Sequence, residues 1–247
     1  MRNMTDTQTL EKQPVATTTS THGCLLIHGF TGGPYELEPL ASRLSDHQIS
    51  CVLPTLKGHE DRSLTNLRSA CHADWLSEVE QAAKNMAQRY AQFDLIGFSM
   101  GGLLAAYAAN RAKVRRLVLL NPAYLYMSPG RFARFVWSSF WKRDFTHFQK
   151  MKLTPYCAVQ EFRKVVKQAK HEFDRIEVPT FVASSALDPI VHPMSGSIVY
   201  RRLKGLKHFH SYPNSGHLIC WDQDAGQLAE DVLQFLTCPS EQLVMRS

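Results

Sequence analysis

Short apolar runs that look like strands alternate with helix-like segments along most of this chain, and this alternation constrains its fold more than any other feature. Two parallel strands of one sheet need a crossover between them, which a single helix usually supplies. The alternation therefore predicts an α/β fold with a mainly parallel central sheet and helices on both faces. The expected strands are 24–27, 49–53, 93–98, 114–120, 178–184 and 208–212, and the expected helices are 35–44, 75–86, 100–110, 194–203 and 222–236.

The alternation breaks at about 126–175, and this interruption decides the expected domain organisation. The segment is rich in large aromatic residues, so we expect a small helical cap over the sheet and not an independent domain. A chain of 247 residues has the size at which one α/β domain buries a full core. Residues 1–21 are polar and threonine-rich, which predicts a flexible leader before a single domain at 22–247.

Composition argues against several classes of function. The net charge is +6 and the pI is near 9.0, but no recognisable nucleic-acid-binding module accompanies the basic residues. Six widely spaced cysteines without a C-x-x-C pair are expected to be reduced thiols, and no metal site is predicted. No apolar run approaches the roughly 18 residues of a membrane span. The N-terminus lacks a secretory signal pattern, so a cytoplasmic location is predicted.

The run Gly97-Phe98-Ser99-Met100-Gly101 matches the pattern G-x-S-x-G at the end of an apolar strand and just before a helix. In this context the serine sits on a strained, tight turn that exposes its hydroxyl, and small neighbours let strand and helix approach closely. Ser99 is therefore the candidate nucleophile. The alternative is an ordinary helix start with Ser99 as its N-cap.

A serine nucleophile needs a histidine base and an acid that orients it, here in the chain order Ser, Asp, His. Asp188 follows the strand 178–184, and His217 lies between the last strand and the last helix. Both are expected at the sheet edge where open α/β folds bind ligands. The other candidate bases are His192, His208 and His210, but solvation or packing is the simpler interpretation of each. Asp222 and Asp224 are interpreted as first-turn residues of the final helix.

The tetrahedral intermediate of acyl transfer needs two fixed N–H donors. One comes from the residue after the nucleophile and the other from a loop after an earlier strand, which predicts the backbone N–H groups of Met100 and Phe30. Gly29 before Phe30 would let that backbone approach the substrate. His28 is interpreted as a buried structural histidine, and His59 as a residue that stabilises its loop.

Several motifs in the right order resemble the bacterial carboxylesterase and monoacylglycerol lipase family of the α/β-hydrolases, over about 23–236. The resemblance implies an α/β-hydrolase fold, Ser99, Asp188 and His217 as the triad, Phe30 and Met100 as the oxyanion hole, and no cofactor. The motifs are His28-Gly29-Phe30-Thr31-Gly32, Thr55-Leu56-Lys57-Gly58-His59, Gly97-Phe98-Ser99-Met100-Gly101-Gly102, Val178-Pro179-Thr180 through Asp188, and Ser215-Gly216-His217-Leu218-Ile219.

The segment 126–175 carries the excess positive charge of the chain. Eleven Lys and Arg against four acids give it a net +7, so the remainder carries −1. Solvated helix faces are one interpretation. The sharper hypothesis is that aromatic side chains hold an acyl group while basic ones attract an acidic carrier such as acyl carrier protein, with an anionic membrane surface as a weaker candidate. The candidate substrate or partner residues are Arg131, Arg134, Phe135, Trp141, Lys142 and Arg143.

These observations predict a serine carboxylesterase that hydrolyses small or lipid-like esters of short to medium acyl chains through an acyl-enzyme. One alternative is a methyl-ester hydrolase acting on acyl groups bound to acyl carrier protein, as in pimeloyl and biotin synthesis. Another is a non-catalytic binding module that keeps the fold. Acyl transfer and thioester hydrolysis use the same triad and stay open.

Overall fold

The described strands form one parallel sheet. The computed structural model describes residues 22–60, 64–125 and 154–239. The strands are β1 (His22–Ile27), β2 (Ser50–Val52), β3 (Gln92–Phe98), β4 (Leu117–Leu120), β5 (Thr180–Ser185) and β6 (Lys207–Tyr212). Their order in the sheet is β2-β1-β3-β4-β5-β6, and every neighbouring pair is parallel. The predicted fold class is confirmed.

Helices cover both faces of this sheet. They are α1 (Glu38–Asp46), α2 (His72–Arg89), α3 (Met100–Ala109), α4 (Tyr156–Ala169), α5 (Met194–Arg202) and α6 (Ala225–Thr237), with short 3-10 helices at Pro34–Glu36, Thr65–Ser69 and Phe173–Arg175. Successive side chains of a strand point to opposite faces. Leu25 and Ile27 of β1 accordingly join the core under α2 to α5, while Cys24 and Leu26 join the core under α1 and α6.

Strand β4 begins three residues later than its apolar run predicts. The chain bends at Arg115, and the guanidinium groups of Arg115 and Arg116 bind the last carbonyls of α6. Arg115 Nη2 donates to Leu236 O at 2.7 Å, and Arg116 donates to the carbonyls of Phe235 and Cys238. Cations at a helix C-terminus satisfy its free carbonyls and complement its dipole. These two arginines therefore anchor the final helix to the sheet.

A buried carboxylate holds the amino-terminal ends of the central strands. Asp94 of β3 is fully buried, its Oδ1 accepts from Arg115 Nε at 2.9 Å, and its Oδ2 lies 2.6 Å from His22 Nε2. Removing one partner of a buried ion pair leaves an uncompensated charge. We expect Asp94→Ala to lower the free energy of unfolding in urea by about 3 kcal/mol. Removal of the exposed Arg43–Glu230 pair by Glu230→Ala, the control, should cost less than about 1 kcal/mol. Equal losses in the two variants would contradict this assignment.

Within the interval 126–175, the structure describes residues 154–175, and these pack against helices α2 and α3. Buried side chains of α4, among them Phe162 and Val165, lie in the same core as α2 and α3. Glu161 accepts hydrogen bonds from the N–H of His72 at 3.0 Å and from its Nδ1 at 2.7 Å, at the start of α2. The backbone bond from His72 first, then the hydrogen bond from Lys164 and the one from the His72 side chain, lower the pKa of Glu161 to about 2. The predicted domain boundaries and the cap stay predictions.

In residues 22–60, 64–125 and 154–239, no helix combines the length and the apolar character needed to cross a bilayer.

Candidate functional site

The three residues of the predicted triad follow three strands of the same sheet. Ser99 comes directly after β3, Asp188 lies in the loop after β5, and His217 lies in the loop after β6. Because all these strands are parallel, their carboxyl ends share one edge, which is where open α/β sheets bind ligands. The topology therefore collects a hydroxyl, a carboxylate and an imidazole on one side of the molecule.

Ser99 occupies a strained turn between β3 and α3. Its φ of 55° and ψ of −114° lie in a region that L residues rarely adopt. A Cβ on Gly97 would lie 2.3 Å from Gly101 O, and a Cβ on Gly101 would lie 2.1 Å from Ile27 O. The predicted need for small neighbours on both sides of the turn is confirmed. Ser99 is the N-cap residue of α3 by position, but its side chain makes no capping hydrogen bond to the helix, which disfavours an ordinary cap as its role.

Asp188 and His217 form a buried hydrogen-bonded pair. Asp188 Oδ2 lies 2.7 Å from His217 Nδ1, and Asp188 Oδ1 accepts from the N–H groups of Ile190 and Val191 at 2.8 and 2.9 Å. Two backbone donors thus fix the carboxylate and hence the imidazole. Burial alone would lower the pKa of His217, but the charges of Asp188 and then Glu36 outweigh it, and the pKa lies above its ordinary value.

The His217 ring also lies beside the nucleophile turn. Its centroid is 4.9 Å from that of Phe98, the residue that precedes Ser99. The backbone N–H of Ser99 donates to Leu120 O at 2.9 Å, which ties the turn to the end of β4. The structure therefore brings His217 to Asp188 and sets its ring against the strand end from which Ser99 departs.

Asn121 joins these strand ends, and the sequence analysis did not identify it. It follows β4 with a φ of 44°. Its Oδ1 accepts from the N–H of Ser185 at 2.7 Å, while its Nδ2 donates to Ser185 Oγ at 3.0 Å and to His217 O at 2.9 Å. A polar residue directly after a buried apolar strand was the available signal. Asn121 therefore fixes the backbone of the candidate base relative to β5.

The prediction that Asp222 and Asp224 lie in the first turn of the final helix is wrong. That helix, α6, begins at Ala225, so Asp224 is its N-cap and Asp222 precedes it. Asp222 Oδ2 accepts from the N–H of Gly216 at 2.6 Å, and Asp224 Oδ2 accepts from the N–H of Asn214 at 2.8 Å. Both carboxylates thus accept hydrogen bonds from backbone N–H groups in the loop before His217. The two acids therefore hold the loop of the candidate base.

Phe30, one of the two predicted oxyanion donors, has its side chain fixed by three aromatic neighbours. Its ring stacks on Phe162 with centroids 5.1 Å apart, and lies 5.9 Å from Trp75 and 6.4 Å from His59. Met100, the other predicted donor, is the first residue of α3, where backbone N–H groups have no partner within the helix. The roles of the two backbone N–H groups as oxyanion donors stay predictions.

Comparison with known proteins identifies the family. A model of the alpha/beta hydrolase family matches residues 24–231. The chain belongs to the alpha/beta hydrolase family.

Relatives of this alpha/beta hydrolase include enzymes that act on esters. It is 29% identical over 225 residues to the "Thermostable monoacylglycerol lipase" of Bacillus sp. (strain H-257), covering 86% of this chain and 89% of the lipase. It is 22% identical over 223 residues to the "Carboxylesterase" of Bacillus subtilis (strain 168), covering 86% and 91%. A solved chain from work on the metagenome-derived lipolytic enzymes LipS and LipT has a TM-score of 0.75 at 22% identity, covering 88% of this chain and 94% of that one. The predicted family resemblance is confirmed.

His28 and His59 of this alpha/beta hydrolase bond to backbone groups of the loops around them. His28 is fully buried, with Nδ1 2.9 Å from Gly29 O and Nε2 accepting from the N–H of Leu56 at 3.1 Å. Burial, and then His59, lower the pKa of His28 to about 3, so it stays neutral and structural, as predicted. His59 Nδ1 lies 3.2 Å from Lys57 O, within its own loop.

The three rival bases have other neighbours in the structure. His192 lies at the start of α5, where its Nδ1 accepts from the N–H of Met194 at 3.1 Å. His210 pairs with Asp231 of α6 at 2.7 Å, and the ring of His208 lies 5.9 Å from that of Phe235 in the same helix. Of the histidines that the structure describes, His217 alone is recorded with a bond to Asp188.

The candidate substrate or partner residues fall at 126–153, outside the described residues, and stay predictions. They are Arg131, Arg134, Phe135, Trp141, Lys142 and Arg143. The described parts of the chain contain no group of three or more His, Cys, Asp or Glu side chains that could hold a metal ion.

Proposed function

We propose that this alpha/beta hydrolase is a serine carboxylesterase that hydrolyses esters of short to medium acyl chains. The observation that carries the proposal is the buried Asp188–His217 pair, held at 2.7 Å at the sheet edge where the strained Ser99 turn lies. A protein retains a strained backbone and a buried charge where the surrounding structure over-determines them, and such features cluster at active sites. This combination supports nucleophilic catalysis over a binding module.

In the proposed first step, Ser99 Oγ attacks the ester carbonyl while His217 Nε2 takes the hydroxyl proton. Asp188 holds the proton on His217 Nδ1, which leaves Nε2 free to accept. The carbonyl oxygen becomes an oxyanion, and the N–H groups of Phe30 and Met100 are proposed to stabilise it. Collapse of the intermediate breaks the bond to the alcohol oxygen, and the leaving alcohol takes the proton from His217. An acyl group stays esterified to Ser99.

In the second step, His217 takes a proton from water, and the hydroxide attacks the acyl carbonyl. The second oxyanion uses the same donors. Breaking the bond to Ser99 Oγ releases the carboxylic acid, and His217 returns the proton to the serine. Because His217 must be neutral to act as base, activity is expected to rise with pH through its raised pKa.

The names of the relatives and the aromatic surroundings of Phe30 support an apolar acyl group. The relatives are named monoacylglycerol lipase and carboxylesterase. Phe30 lies among Trp75, His59 and Phe162, so the neighbourhood of the proposed oxyanion donor is apolar. Apolar walls with few polar groups are typical of sites for lipid-like ligands.

A second candidate is an ester whose acyl group is attached to an acidic protein such as acyl carrier protein. The net charge of +7 on the segment 126–175 favours it, because opposite charge raises association rates in a salt-sensitive manner. Charge reversal at Arg131, Arg134, Lys142 and Arg143 should slow turnover of a carrier-linked ester at low salt. Unchanged turnover would remove this candidate.

A panel of p-nitrophenyl esters tests the main proposal. We expect the wild-type chain to hydrolyse the acetate, butyrate and octanoate esters faster than the laurate ester, with little dependence on salt. No hydrolysis of any of the four, together with hydrolysis of a carrier-linked methyl ester, would favour the second candidate. Inactivity on both kinds of ester would contradict the enzymatic proposal.

A further inference from the structure

A buried carboxylate beside the proposed site has no part in the mechanism described above. Glu36 ends the short 3-10 helix Pro34–Glu36, and only 7% of its surface is exposed. Its Oε2 accepts a hydrogen bond of 2.8 Å from the backbone N–H of Gly29. Burial of a carboxylate is costly unless hydrogen bonds or charges compensate it. The hydrogen bond from Gly29 compensates part of this cost for a carboxylate buried against the loop after β1, which carries Phe30.

The glycines of this loop leave room for that carboxylate. A Cβ on Gly32 would lie 2.1 Å from both carboxylate oxygens of Glu36, and a Cβ on Gly29 would lie 3.2 Å from Oε2. Thr31, between them, adopts a φ of 62°. The loop 29–32 thus folds around the carboxylate. The carboxylate of Glu36 explains why position 32 needs a glycine, since any side chain there would overlap it. The sequence motif alone did not give this reason.

The hydrogen bond to Glu36 also determines which backbone N–H of this loop is left to bind a substrate. The N–H of Gly29 is taken by Oε2, so this peptide unit is fixed with its donor toward Glu36. The next N–H along the chain belongs to Phe30, the proposed oxyanion donor. Because this bond holds Gly29 in place, it also holds the start of the next peptide unit, which carries the N–H of Phe30.

Two neighbouring groups respond to the charge of Glu36. After burial and Asp188, Glu36 is a further cause of the raised pKa of His217. After burial, Glu36 is also a cause that raises the pKa of the Cys220 thiol to about 12. Among the residues that the structure describes, the acidic side chains near His217 include Asp188 from the loop after β5, Glu36 from the short helix, and Asp222, which accepts from Gly216 in the loop of His217 itself.

We propose that Glu36 is a positioning residue of the active site. Its carboxylate orients the loop that presents the N–H of Phe30. Trp221, in the segment after His217, donates from Nε1 to Tyr35 O at 2.9 Å, which holds the residue next to Glu36 against that segment. From there the carboxylate charge of Glu36 joins that of Asp188 in stabilising protonated His217. The inference rests on the proposed esterase function. It differs from a purely structural role, because a structural role would change the amount of folded protein without changing how the remaining enzyme responds to pH.

The test compares Glu36→Gln with Glu38→Gln in the full chain. The glutamine keeps an oxygen that can accept from Gly29 but removes the charge, while Glu38 is an exposed carboxylate two residues away. We expect Glu36→Gln to lower kcat for p-nitrophenyl butyrate by roughly tenfold with KM little changed, less than the roughly hundredfold or greater loss from removing an oxyanion donor. The acid limb of kcat/KM should move to lower pH by roughly half a unit. Glu38→Gln should change neither quantity.

The outcomes separate this inference from the function on which it rests. A wild-type chain without ester hydrolysis would overturn both. An active wild type whose Glu36→Gln variant has the kcat and acid limb of Glu38→Gln would overturn the role of Glu36 alone. Because the midpoint of the acid limb does not depend on how much enzyme is folded, the comparison holds even if Glu36→Gln is less stable.

Discussion

Ser99→Ala is expected to lower kcat/KM for p-nitrophenyl butyrate by roughly 10⁴- to 10⁶-fold. The alanine removes the hydroxyl that the mechanism uses twice, as nucleophile and as leaving group of the acyl-enzyme. Initial rates over a range of enzyme concentrations measure the loss.

The control for this variant is Ser69→Ala. Ser69 is exposed, and its hydroxyl donates to Asn66 O at 2.7 Å, in a 3-10 helix that contributes no proposed catalytic group. It should retain the activity of the wild type. If Ser99→Ala kept more than about a tenth of the wild-type rate while remaining folded, Ser99 would not be the nucleophile.

Asp188→Asn is expected to lower kcat by about 10⁴-fold. Asp188 Oδ1 accepts from the N–H groups of Ile190 and Val191, so an asparagine must place its oxygen there and turn its NH2 group toward His217 Nδ1. That contact requires Nδ1 without a proton. His217 would then carry its proton on Nε2, in the tautomer that cannot accept the hydroxyl proton of Ser99.

A matched control is Asp231→Asn, which removes another close His–Asp pair, one that lies away from the proposed site. Asp231 Oδ2 lies 2.7 Å from His210 Nδ1, at the far edge of the sheet on β6 and α6. This variant should keep its activity on p-nitrophenyl butyrate. A larger loss in Asp231→Asn than in Asp188→Asn would show that the base had been assigned to the wrong pair.

The parts of the fold that follow from burial could be predicted from the sequence. Apolar runs such as 24–27 and 93–98 become parallel strands because buried strands are apolar on both faces. The positions of Ser99, Asp188 and His217 followed from chain order, since all three come after the ends of parallel strands. That prediction needs only the topology, with no knowledge of side-chain contacts.

The polar contacts of the loops could not be predicted in the same way. Asn121 binds a carbonyl of a loop far away in the sequence, and Asp222 and Glu36 each accept from a backbone N–H several residues earlier in the chain. Such bonds depend on loop conformations that hydrophobic periodicity does not encode. The late start of β4 could not be predicted either. The side chains of Arg115 and Arg116, just before this strand, bind carbonyls of α6 more than a hundred residues away, and an apolar run gives no sign of such contacts.

Covalent labelling of Ser99 tests the central claim most directly. The wild-type chain is incubated with a fluorophosphonate, which phosphonylates an activated serine with loss of fluoride, and the product is measured by intact mass and by peptide mapping. We predict one adduct per chain, located on Ser99, appearing in step with the loss of esterase activity, and strongly slowed in Asp188→Asn. An adduct on another residue, or complete loss of activity with Ser99 unmodified, would contradict the claim.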